Sequence, residues 1–174
     1  MRSIGDRWAA GEIDVAVEHL ATSIATRLVS RLGARSFRRG RSRGTVLLGA
    51  VQSERHSMPL ALLADLVRLQ GWDIVDLGAD VPVASFVHAA DRIGEGLVAV
   101  GVSVTVPESL SHVLDTFTGL RAVVASDVAL VAGGLAVTSD AEARALGADC
   151  HAGDARQFCE LLDKGALKVE QVFD

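Results

Sequence analysis

The chain has 174 residues, a formal charge of −5 and 49% hydrophobic residues, enough for one compact domain with its own core plus a smaller appendage. The acidic balance argues against direct nucleic-acid binding. No apolar run approaches the ~20 residues of a membrane helix, and Asp6 and Glu12 break any signal-peptide core, so a cytoplasmic protein without a membrane segment is expected.

Tyrosine is absent and aromatic residues are few, so Val, Leu, Ala and Ile must form the core, as in buried parallel strands. Phe37, Phe86, Phe117 and Phe158 are expected to fill gaps in it. In chain order, Ile13, Val17, Leu20, Ile24, Leu28 and Leu32 step by three or four and predict an amphipathic helix, with Gly33 as its stop. The segment from Arg35 to Gly44 carries five arginines among Gly and Ser and reads as a flexible, solvated linker. The expected domains are therefore 1–43, helical with an Arg-rich linker, and 44–174.

From Thr45 onward strand-like and helix-like stretches alternate: 45–51 then 59–69, 73–77 then 83–93, 97–103 then 107–120, 129–132 then 139–146, and 149–151 then 155–162. Five βα units predict a Rossmann-like, flavodoxin-like doubly wound parallel sheet with right-handed crossovers. Every strand's carboxyl end then opens on one edge, and the loops after the first, third and fourth strands converge there. They carry Glu54, His56 and Ser57; Ser103 and Thr105; and Gly133 and Gly134. A carboxylate two residues before a histidine holds the ring in one tautomer and strengthens it as a metal donor. Taken singly, a loop histidine caps or sits at the surface, the hydroxyls cap the helix near Pro107, and the glycines make a tight exit. Their joint occurrence on one edge favours a metal cofactor. Cys150 and Cys159 are expected to be reduced packing residues, and His88 and His112 to be exposed on helices.

The run Glu54-Arg55-His56-Ser57-Met58-Pro59, then Ser103-Val104-Thr105, then Gly133-Gly134 resembles the cobalamin-binding domain family, with its Asp/Glu-x-His-x-x-Gly, Ser-x-Leu/Thr and Gly-Gly motifs. The resemblance implies His56 Nε2 as the cobalt ligand, Glu54 as orienter of the ring, and Ser103, Thr105, Gly133 and Gly134 as the lining for the cofactor's nucleotide tail. Pro59 departs from the motif glycine. Upstream, Trp8 followed by Glu18-His19 is similar to the Trp-x9-Glu-His signature of adenosylcobalamin-dependent photoreceptors, relatives of carotenoid-gene repressors. It implies that Trp8, Glu18 and His19 cover the upper cobalamin face around the adenosyl group, with both members of the Glu-His pair reaching one ligand. Ala9 stands where some of those relatives carry histidine.

This resemblance implies a light-sensing module, not an enzyme, in which photolysis of the cobalt–carbon bond drives a conformational signal. Only about half of that family's four-helix upper module fits before Arg43. A homodimer, or a second chromophore such as biliverdin as in the photocobilins, would cover the remaining face, and the signal would leave through a partner or output domain outside this chain. The alternatives are a corrinoid carrier for methyl transfer, which must keep the cobalt's upper face open, and a light-independent cobalamin-binding antirepressor.

Overall fold

A computed structural model describes residues 2–33 and 42–164. The Arg-rich segment through residue 41, Phe37 among it, and the tail beyond Lys164 lie outside the described residues. The chain divides into two compact units at Phe37 and Arg38.

The N-terminal unit holds two helices, α1 (Arg2–Ala9) and α2 (Val15–Gly33). Asp14 opens α2 by accepting the Val17 N–H on its carboxylate, which satisfies one of the orphan donors of a helix start. The predicted helix starts at Ile13, ahead of this cap, and Gly33 is the last helical residue rather than the residue beyond it. The apolar stripe is real, and its members Val17, Leu20, Ile24, Leu28 and Leu32 are all exposed.

The second unit carries β1 (Thr45–Ala50), α3 (Met58–Leu69), β2 (Asp73–Asp76), α4 (Val83–Ile93), β3 (Leu97–Ser103), α5 (Leu110–Arg121), β4 (Ala129–Gly133), α6 (Asp140–Ala145), β5 (Cys150–Ala152) and α7 (Ala155–Asp163). All five strands are parallel, in the order β2-β1-β3-β4-β5. This is the doubly wound α/β sheet predicted above. Side chains alternate across the strands: Leu47 and Val51 face a core built with Phe86 and Ala90 of α4 and Val113, Phe117 and Leu120 of α5. Val46, Leu48 and Ala50 face the other core, with Leu60, Ala64 and Val67 of α3 and Phe158 and Leu162 of α7. Burial of Phe86, Phe117 and Phe158 matches their predicted role as fillers. Gly49 makes room for the first of these, because a Cβ there would lie 2.6 Å from the Phe86 ring.

The differences from the predicted elements have local causes. Pro107–Ser109 forms a separate 3-10 turn before α5, so the single helix read from Pro107 starts three residues later, at Leu110. His112 is half-buried, while His88 is exposed. Cys150 and Cys159 are free thiols; burial first, then the nearby Asp140 and Asp149, pushes the Cys150 thiol up to about 11, away from reactive thiolate chemistry. Among the described residues no helix is long and apolar enough to cross a membrane.

Candidate functional site

Strand order reverses direction between β1 and β3, which opens a crevice at the carboxyl edge where such sheets bind ligands. The register levels the strand ends: Ala50 pairs with Ser103, and Ser103 with Gly133. Beyond Ala50, Val51 makes an isolated parallel bridge to Val81, and the chain turns into Glu54.

Glu54 is fully buried, one of three buried polar residues among those described. Its Oε1 accepts the His56 backbone N–H at 3.0 Å and lies 2.5 Å from His56 Nδ1. Its Oε2 accepts the backbone N–H groups of Thr105 at 2.5 Å and Val106 at 3.2 Å. Burial pushes the carboxyl up, but the hydrogen bonds from His56 N–H, Thr105 N–H and the imidazole together outweigh it and hold the group below the usual glutamate value. An ionised Glu54 requires Nδ1 to be the donor, so a neutral ring presents its lone pair at Nε2. The His56 side chain is 58% exposed, against 0% for Glu54. The carboxylate therefore anchors the ring from inside while the ring itself meets the crevice.

The remaining predicted residues divide clearly. Ser57 is exposed at the start of α3 and makes no side-chain cap. Pro59 falls in the first turn of that helix, where a missing N–H costs nothing, so proline replaces the motif glycine without loss of helix. Neither Ser103 nor Thr105 caps a helix: the N-cap of the 3-10 turn is Val106 and that of α5 is Ser109, both without a side-chain cap bond. Thr105 serves instead through its backbone N–H. Gly134, with φ +105°, abuts the chain itself, since a Cβ there would stand 2.0 Å from the Val104 carbonyl oxygen. A side chain there would meet Val104, the plain structural reason set out above. Val106, Ser53 and Asp80 also belong to the constellation and were missed, because backbone donors and a turn carboxylate carry no motif.

In the N-terminal unit, Trp8 stands on α1, half exposed, and Glu18 and His19 on α2. Glu18 and His19 were expected to reach together to one ligand. His19 Nδ1 lies 2.6 Å from Glu18 Oε2, and Thr22 Oγ1 donates to Glu18 Oε1 at 2.7 Å. The carboxylate is engaged within its own helix.

The donor set fits one kind of metal. Among the described residues no group of three or more His, Cys, Asp and Glu can hold an ion. One oriented imidazole suits a metal that arrives with its equatorial donors already in a macrocycle, as cobalt does in a corrin.

Comparison with known proteins agrees. The B12 binding domain model matches residues 44–162, and a second model of the same description matches residues 1–32. The trimethylamine corrinoid protein of Methanosarcina barkeri is 26% identical over 173 residues, covering 97% of this chain and 78% of that protein. Trimethylamine corrinoid protein 1 of Methanosarcina mazei is 34% identical over 59 residues, 34% of this chain, and that alignment spans only 27% of the relative. Among solved structures, the monomethylamine corrinoid protein of Methanosarcina barkeri superposes with a TM-score of 0.81 at 21% identity, covering 94% of this chain and 77% of that one. A methanol:cobalamin methyltransferase complex of the same organism gives 0.63 at 19% identity, covering 91% and 60%.

These relatives overturn the light-sensing expectation. The curated relatives are corrinoid proteins, the class set out as an alternative to the sensor. The photolysis mechanism and the biliverdin chromophore lose their support with it. The chain belongs to the B12-binding domain family.

Proposed function

We propose that the protein is a corrinoid carrier for methyl transfer, in which His56 is the lower ligand of cobalt. The observation that carries the ligand assignment is the Glu54–His56 pair: a buried, ionised carboxylate takes Nδ1–H and leaves Nε2 toward the crevice. The relatives support the carrier role. When bound, cobalamin supplies a cobalt centre that accepts a methyl group from one partner and yields it to another.

The chain's own residues orient and tune. Glu54 fixes the ring's tautomer and, by taking more or less of the Nδ1 proton, raises or lowers the donor strength of Nε2. Thr105 and Val106 N–H groups hold the other carboxylate oxygen, so the loops after β1 and β3 move as one. Ser103 and Gly133 sit level at the strand ends, with Gly134 next in the chain, in position to border the nucleotide tail. Ser57 adds an exposed hydroxyl beside the ring. A methyl group, rather than adenosyl, is the upper ligand this role requires.

His56→Ala tests the assignment. The variant should stay folded, because an exposed ring contributes little packing, and should lose the histidine-bound cobalamin spectrum and at least about tenfold in affinity, the scale of lost ligand-orienting contacts at metal sites. An unchanged visible spectrum and affinity would rule out His56 as the ligand.

A further inference from the structure

Ser53 and Asp80 are the non-glycine residues with positive φ among those described, at +71° and +57°. Such backbone is strained for a residue that bears a side chain and persists where the surroundings over-determine it. The contacts that do so here are specific. Ser53 N–H donates to Asp80 Oδ1 at 2.7 Å, and Asp80 N–H donates to the Glu54 carbonyl at 2.8 Å. Glu54 N–H in turn donates to the Val51 carbonyl at 2.9 Å. A single residue from the loop after β2 therefore clamps the β1 turn on both sides of the Glu54 Cα. Asp76, the last residue of β2, offers a contrast: its Oδ1 accepts the Gly78 N–H two residues on, a purely local turn bond.

The Glu54 side chain leaves this clamped backbone to reach His56 Nδ1 at one oxygen and the Thr105 and Val106 N–H groups at the other. Both oxygens are committed at short range, so a small shift of the Glu54 backbone cannot be absorbed by the carboxylate without breaking one side. We propose that Asp80 is a positioning residue for cobalt ligation: its carboxylate fixes the turn that aims Glu54, and through Glu54 the imidazole of His56. This rests on the assignment of His56 as the cobalt ligand.

The test uses Asp80→Gly, which suits the positive φ and removes only the carboxylate, and Asp80→Asn, which keeps an Oδ1 acceptor for Ser53 N–H. The full chain, with 15N-labelled histidine, is loaded with cobalamin and reduced to the cob(II)alamin state. In electron paramagnetic resonance a coordinating 15N histidine splits the cobalt signal into doublets, whereas the cofactor's own unlabelled base gives triplets. Wild type and Asp80→Asn should show the doublet. In Asp80→Gly the ratio of histidine-bound to histidine-free cofactor should fall roughly tenfold, the scale of one charge-assisted hydrogen bond. Nitrogen NMR of the His56 ring in cobalamin-free protein gives a second readout: Asp80→Gly should release the Nδ1–H bond to Glu54.

A wild-type histidine-bound fraction in Asp80→Gly, or an unchanged ring signal, overturns the proposal. Equal loss in Asp80→Asn and Asp80→Gly assigns the effect to charge and overturns it as a clamp. Absence of the doublet in wild type, with the NMR response to Asp80→Gly intact, removes the ligand assignment alone and leaves the positioning through Glu54 standing.

Discussion

Glu54→Ala should destabilise the sheet domain by about 3 kcal/mol or more, a large part of the 5–15 kcal/mol that holds a domain together. The variant removes a fully buried side chain and leaves the N–H groups of His56, Thr105 and Val106 without their acceptor. Each buried donor left unmade costs roughly 1–3 kcal/mol, part of which entering water restores. Urea denaturation followed by circular dichroism measures this directly, and a loss below about 1 kcal/mol would contradict the bonding described.

Glu54→Gln separates stability from ligation. The amide oxygen can still accept from Thr105 and Val106, so the structural loss should be smaller, about 1–3 kcal/mol for the donor now facing an NH2 group. The NH2 group, however, can only donate to His56 Nδ1, which forces the ring proton onto Nε2. A protonated Nε2 has no lone pair for cobalt. Glu54→Gln should therefore fold yet bind cobalamin without the histidine-bound spectrum.

Gly134→Ala should cost about 3 kcal/mol or more, a fall in melting temperature of roughly 10 °C for a chain of this size. Two effects add there: φ of +105° lies where side-chain-bearing residues are strained, and the new Cβ would meet the Val104 carbonyl oxygen at 2.0 Å. The obstacle is backbone. Val104 is pinned from both sides, its N–H donating to the Gly133 carbonyl and its own carbonyl accepting from Ala136 N–H, so it cannot step aside. Gly96→Ala is the matched control, since the nearest atom to its Cβ is Thr45 Oγ1 at 3.9 Å. Differential scanning calorimetry should separate the two variants clearly, and equal melting temperatures would refute the tight approach at Val104.

Much of the sheet domain is legible in the sequence because its central strands are short, mostly apolar and separated by amphipathic helices. Alternate residues of 46–51 feed two cores, and no other arrangement buries both faces. The pairing of Glu54 with His56 is legible too, because the spacing is local. What escapes is the reach of that carboxylate to Thr105 and Val106, some fifty residues away, through backbone groups that every residue possesses. The Asp80 clamp escapes for the same reason. Helix starts shift by one to three residues where a cap or a 3-10 turn intervenes, as at Asp14 and at Pro107–Ser109. The light-sensing expectation failed differently: Trp8, Glu18 and His19 are a pattern of residue types on helices, and the curated relatives are corrinoid proteins.

Methyl transfer in the dark is the most direct test of the carrier role. The protein would be loaded with methylcobalamin carrying an isotopically labelled methyl group, freed of unbound cofactor, and incubated in darkness with a thiol methyl acceptor and a corrinoid-dependent methyltransferase. A carrier should deliver label to the acceptor faster than an equal amount of free methylcobalamin, and His56→Ala should lose most of that advantage. Label that stays on the protein in darkness and leaves only under illumination would contradict the carrier.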